Sequence, residues 1–286
     1  MTTHNPHDDF VEIQPITQTP QSAPKPAKLP PVTLSQQDLA DINAHLNQSP
    51  VDLLKVPAVR MILTRNRMAQ VNRESIERAA NVDSAVIDNC IEYNMSCLAD
   101  DVTHNRPERL IAPLCQIGFI ARNMPKMRVL TVGPRSESEL LCLISSGFNE
   151  NNIRGLDLFS FSPYIDAGDM HAMPYPDHSF DIIILGWVLA YSKDNKKAAQ
   201  EVLRVAKPGA HIAIGCQVQE IVDEAYWEQW SKANNKPHVT AGTKFKHTNE
   251  LLALFGTSID RVIFQEDAHP EFEGKTYDIM TIFRLK

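Results

Sequence analysis

The chain is predicted to be an α/β protein whose sheet is doubly wound and mostly parallel, with an antiparallel C-terminal strand and a helical N-terminal region. Two observations carry this expectation. From Met127 onward, short β-like runs alternate with amphipathic helical stretches, the pattern of parallel strands joined by crossover helices. One run, Asp181-Ile-Ile-Ile-Leu185, is almost continuously apolar, as a strand covered on both faces must be.

The elements follow in order. Residues 1–33 are read as a flexible Pro-rich tail, because eight of the 19 prolines fall in the first 50 residues, where few large apolar side chains offset the entropy of ordering. Ser35, with Asp38 three residues on, reads as an N-cap ahead of Leu39, Ile42 and Leu46 at helical spacing. Further helical stretches are expected at 58–80, 84–93 and 107–122, so that residues 34–125 form a helical region serving as a lid, a substrate contact or a dimer contact. Its second helix carries Arg60, Arg65, Arg67, Arg73 and Arg78, a charge able to attract an anion. The domain at 126–286 then reads as strand 128–132, helix 137–145, strand 153–157 and strand 181–185. Helix 196–206 follows, stopped by Lys207-Pro208-Gly209, then strand 211–215 and a closing pair at 259–265 and 277–284.

Composition narrows the function. With 43% hydrophobic and 22% charged residues, the 286-residue chain has the makeup of a globular protein. A net charge of −7 argues against nucleic acid as a partner, since phosphate binding needs clustered Lys and Arg. The longest apolar run, 182–191, is ten residues, about half of a membrane span, and no signal peptide is visible; a cytoplasmic protein without a membrane partner is expected. Five cysteines without a CxxC pair point to reduced thiols, and no His/Cys spacing suits a metal.

In an open α/β sheet the ligand crevice lies at the carboxyl ends of the strands, so the loops there are the candidate site. Gly133-Pro134-Arg135-Ser136 joins the first strand to its helix, with Gly133 permitting close ligand approach. Ser136 and Glu139 match a capping box. Asp157 ends the second strand 24 residues beyond Gly133, a place from which a carboxylate can accept bonds from both hydroxyls of a ribose. In Gly168-Asp169-Met170, a carboxylate can meet an exocyclic amine while the thioether packs on an aromatic base.

The string Gly168-Asp-Met-His-Ala-Met-Pro-Tyr-Pro-Asp-His-Ser-Phe-Asp181, followed by Glu201-Val-Leu-Arg-Val-Ala-Lys-Pro-Gly209, resembles the class I S-adenosylmethionine-dependent methyltransferases of the type 11 kind. The likeness runs from about Met127 to Lys286. It implies a Rossmann-like fold and S-adenosylmethionine as cofactor. It further implies that Gly133 is the first glycine of the cofactor loop, that Asp157 binds ribose and that Asp169 reads the adenine amino group. Leu158 and Met170 would pack beside the ring, and Gly186 and Trp187 would line the methionine part and the transfer channel.

The loop departs from the family's pattern: Thr131 stands where an acidic residue is usual, and Arg135 and Glu137 replace two glycines. Arg135 could pair with the cofactor's carboxylate. His171, His178 and Tyr191 are the side chains nearest in sequence to serve as a base, with His171 and Tyr191 preferred. Tyr226, Trp227 and Trp230, at helical spacing, could cover an acceptor. The expected function is methyl transfer to a small polar molecule, a sugar or an anionic metabolite. The alternatives are a regulatory protein that keeps the fold without turnover and a protein or RNA methyltransferase. A nicotinamide oxidoreductase is disfavoured because no G-x-G-x-x-G follows the first strand.

Overall fold

In a computed structural model, residues 34–100, 106–218, 229, 232, 245–267 and 277–286 are described, with side chains 97–100, 106 and 107 omitted. The tail 1–33 and the aromatic group Tyr226, Trp227 and Trp230 lie outside them. The chain divides into a unit Met1–Ala44 and a compact unit His45–Lys286. In the first, helix α1 (Gln36–Gln48) begins as its capping residues dictate: Ser35 Oγ accepts from Asp38 N–H at 3.1 Å while Asp38 accepts from Ser35 N–H at 2.7 Å.

In the larger unit, helix α2 (Pro57–Gln70) ends ten residues short of the expected Ala80. Val71 and Asn72 adopt extended backbone, Asn72 caps a short 3₁₀ turn by accepting from Glu74 N–H, and strand β1 (Glu77–Arg78) follows. Helix α3 (Ser84–Asp100) is longer than expected. The stretch after it is split into α4 (Arg106–Cys115) and α5 (Gly118–Asn123), the break lying between Pro113 and Gly118.

The sheet strands are β2 (Val129–Val132), β3 (Ile153–Asp157), β5 (Ile165–Ala167), β6 (Phe180–Gly186), β7 (Ala206–Val218), β8 (Ile259–Glu266) and β9 (Tyr277–Leu285), while β4 (Phe159–Ser160) pairs with β1 instead. Their order is β5-β3-β2-β6-β7-β9-β8, parallel except for β9, which runs antiparallel to both neighbours. This is the doubly wound, Rossmann-like arrangement expected. Strand β7 starts at Ala206, so Lys207-Pro208-Gly209 opens the strand instead of preceding it.

Helix α6 (Glu137–Ser146) and α4 cover one face, packing Leu140, Leu143, Leu110, Ile111 and Leu114 against Val129, Ile182, Ile184 and Ala213. Helix α7 (Asn195–Val205) covers the other, setting Ala198, Ala199, Val202 and Val205 on Leu130, Ile183, Leu185 and Ile212. Each side chain of this size buried contributes roughly 1.5–3 kcal/mol, which explains why β2 and β6 are apolar on both faces. A smaller cluster, Ile76, Ile87, Ile91 and Phe159, fastens α3 and β1 to the segment just beyond β3. The described cysteines Cys90, Cys115, Cys142 and Cys216 are free thiols. Among the described residues no helix is long and apolar enough to cross a membrane, and no metal-binding cluster is present.

Candidate adenosine-cofactor site

Strand order reverses between β2 and β6, so the crevice opens at their carboxyl ends. Gly133 and Gly186 stand at the two sides of this point. Gly133 holds φ +67°, and a Cβ there would lie 2.5 Å from Val188 Cγ2, so only glycine fits. Pro134 is buried beside Gly155. Trp187 is also at positive φ, 61°, an uncommon conformation for so large a residue. It is fixed by Nε1–H donating to Asp278 Oδ1 at 2.8 Å, by N–H donating to Gly215 O at 2.7 Å, and by its ring lying on Gly215.

Asp157 ends β3. Among the described residues its carboxylate accepts one hydrogen bond, from Leu158 N–H at 2.7 Å. Burial pushes its pKa up to about 7, opposed by that bond and by the Arg135 guanidinium. Helix α3 encloses it: Cys90, whose thiol is raised to about 11 by burial and by the Asp157 charge, lies on this helix. A carboxylate desolvated with so few donors fits a group that brings hydroxyl donors of its own, as a ribose does. The Asp157 carbonyl accepts from Gly168 N–H at 2.7 Å, which brings Asp169 alongside.

Asp169 Oδ1 accepts from His171 N–H at 2.9 Å and lies 2.6 Å from His171 Nδ1, while His171 Nε2 lies 2.8 Å from Ser192 Oγ. Both ring nitrogens of His171 are therefore engaged. Met170 packs on the core and Leu158 on the α3 cluster. His178, at φ 52°, hydrogen-bonds the Ala206 carbonyl through Nδ1 at 3.0 Å and so belongs to a turn. Tyr191 is 40% exposed.

Arg135 and Glu137 both reach into the N-terminal helices. The Arg135 guanidinium stacks on Tyr93 of α3, 5.3 Å from the ring centroid. Glu137 is buried, held by Arg67 of α2 at 2.6 Å and by Ser162 Oγ at 2.5 Å. Ser136 Oγ accepts from Ser138 N–H at 3.3 Å, whereas Glu139 turns to the sheet and accepts from Thr131 Oγ1. Sequence reasoning missed Tyr93, Val188 and Ser192, which only the fold brings to the site, and assigned Glu139 to the helix end. The signal for Glu139 was present: it flanks the inward-facing Leu140, and the strand opposite carries a threonine. The expected arginine-rich helix is divided, with Arg60 and Arg67 on α2, Arg73 in the 3₁₀ turn and Arg78 in β1, and these four pair with Glu108, Glu137, Glu92 and Asp88.

A doubly wound sheet with carboxylates beyond two neighbouring strands is an arrangement in which α/β proteins can hold an adenosine-containing cofactor. Residues 149–214 match the family model of the methyltransferase domain. The chain is 43% identical over 54 residues to a demethylmenaquinone methyltransferase from Renibacterium salmoninarum, covering 18% of this chain and 23% of the relative. It is 32% identical over 89 residues to one from Desulfitobacterium hafniense (29% and 33%). It thus spans a quarter to a third of the length of these curated relatives. Among solved structures, a methyltransferase from Aquifex aeolicus is similar at 18% identity and a TM-score of 0.41, over 63% of this chain and 98% of that one.

Proposed function

We propose that the chain catalyses S-adenosylmethionine-dependent methyl transfer to a small molecule. The observation that carries this reading is the under-donated Asp157 carboxylate beside Asp169 at the crevice, inside a segment of the methyltransferase family. The cofactor supplies an activated methyl group, so the protein's part is to orient donor and acceptor and to exclude water. Asp157 would accept the ribose hydroxyls and Asp169, whose Oδ1 is held by His171, would meet the adenine amine. His171, tied at both ring nitrogens, is a positioning residue for Asp169. Tyr191 is the residue proposed to take a proton from acceptors that carry one. Pairing of Arg60, Arg67, Arg73 and Arg78 with carboxylates leaves these arginines little pull on an anionic acceptor. The names of the matched relatives favour a small-molecule acceptor of the quinol type over a sugar.

Calorimetric titration of the full chain with S-adenosylmethionine and S-adenosylhomocysteine tests the cofactor, and transfer of labelled methyl to a small-molecule panel tests turnover. Micromolar binding with methylated product in molar excess over enzyme is expected. Binding without turnover would leave the regulatory reading, and absence of binding would overturn the proposal.

A further inference from the structure

The loops after β5 and β6 are joined by a chain of side chains. Asp169 Oδ1 accepts from His171 N–H, and the His171 ring stands between that same oxygen, 2.6 Å from Nδ1, and Ser192 Oγ, 2.8 Å from Nε2. Ser192 is buried, and its Oγ already accepts from Asp194 N–H at 3.2 Å. Donors and acceptors match when Ser192 O–H donates to Nε2 and Nδ1–H donates to Asp169; with the other tautomer a ring lone pair would face the carboxylate. Ser192 N–H also donates to Leu189 O at 3.1 Å, closing the 3₁₀ turn Leu189–Tyr191, while Asp194 caps α7 by accepting from Lys197 N–H at 3.0 Å. Among the described residues no other hydrogen bond joins residues 188–194 to the loop after β5.

Resting on the cofactor reading above, we propose that Ser192 and His171 form a latch through which occupancy at Asp169 sets the loop that carries Tyr191. Both are positioning residues. Asp169 is part-exposed, and among the described residues His171 alone donates to its carboxylate. An amine that donates to this carboxylate stops its rotation, keeps Nδ1–H aimed at it and so holds Nε2 within reach of Ser192. The coupling lies in restricted motion and needs no change in the path of the backbone. It is reciprocal, so a loop already fixed also favours the cofactor. An order of events follows: the cofactor enters first, and the acceptor meets a Tyr191 already in place.

The test is amide hydrogen exchange of the full chain, read separately at residues 168–173 and 187–194. The ligands are S-adenosylhomocysteine and 5′-methylthioadenosine, which carries the adenine amine but no amino-acid arm to touch the loop after β6. Calorimetry sets a saturating concentration for each protein. Both ligands should slow exchange in both segments of the wild type, by roughly fivefold at 187–194, the equivalent of one hydrogen bond. Ser192→Ala cuts the latch at its far end, and should keep the slowing at 168–173 while bringing 187–194 to within about twofold of the ligand-free rate. His171→Phe cuts it at the near end and should also lose the effect at 187–194; unchanged thermal midpoints show that the variants fold. Slowing at 187–194 that is absent from the wild type, that survives in either variant, that needs the amino-acid arm, or that is lost together with the slowing at 168–173 in Ser192→Ala would overturn the latch. Failure of the wild type to bind S-adenosylhomocysteine would instead overturn the cofactor reading on which it stands.

Discussion

The loops after β2 and after β5 border the same crevice and are held in place by opposite means. The later one, residues 168–178, is fixed from within the α/β domain. Arg204 of α7 donates to the Met173 and Tyr175 carbonyls at 2.9 and 2.7 Å and to Asp177 at 2.9 Å, while Glu201 accepts from Met173 N–H at 2.8 Å. The Glu201 carboxyl is held below its ordinary range chiefly by Arg204. The earlier loop, 133–137, is fixed from outside, by Tyr93 under Arg135 and by Arg67 on Glu137. Glu201 and Arg204 thus work as scaffold, and the loop that carries Arg135 and Glu137 is anchored to the helical region.

The comparison is broken most severely at the residue both loops serve. Asp157→Ala removes two charge-assisted acceptor positions, each worth roughly 1.5–3 kcal/mol, so cofactor binding should fall by at least about 100-fold. Folding stability near pH 8 should hold or rise, because the variant no longer buries a desolvated charge. Calorimetry and urea unfolding of the same preparation check both halves; a loss of stability alongside a small loss of affinity would assign Asp157 to the fold.

Arg204→Ala acts on the scaffolded loop. It strips three partners and leaves the mostly buried Glu201 with only the Met173 N–H and Lys197, so unfolding free energy should drop by about 2 kcal/mol, below the range for fully buried pairs because Arg204 is 31% exposed. A denaturation midpoint unchanged from wild type would remove the clamp from this account. Gly133→Ala acts on the other loop, and should cost about 2 kcal/mol through positive φ and contact with Val188. Val188→Ala in the same chain should return the steric part of that cost, a coupling that a double-mutant cycle measures directly.

These two loops also differ in how legible they were. The strands at 153–157, 259–266 and 277–285 and the helix at 137–146 were readable to within a residue or two, because apolar runs and caps are local signals. Asp157 and Asp169 were readable for the same reason, as carboxylates at strand ends. The early end of α2 was not, since Val71 and Asn72 become extended only through the pairing of β1 with Phe159 and Ser160, about 80 residues away. Nor were Tyr93 and Arg67, whose roles depend on how helices reach a distant loop. Glu139 fits a local rule, the capping box, while its bond to Thr131 depends on how the helix meets the sheet.

The smallest effect is the most discriminating. With its pKa raised to about 7 by burial, Asp157 in the ligand-free protein takes up its proton near neutrality, whereas an unfolded Asp does so near 4. The folded state therefore binds the proton more tightly. Its stability is greatest below the unfolded pKa and declines as pH rises toward 7, above which the charged form bears the full desolvation cost. Ribose hydroxyls reverse this by donating to the ionised carboxylate, so cofactor binding should strengthen by up to about tenfold between pH 6 and pH 7.5 and release a proton in doing so. Titrations in buffers of different ionisation enthalpy count that proton, and Asp157→Asn should abolish both the release and the pH slope. Removing the Arg135 guanidinium, which partly offsets the burial, should move the slope to higher pH; a slope that stays in place would detach Arg135 from the ribose side of the crevice.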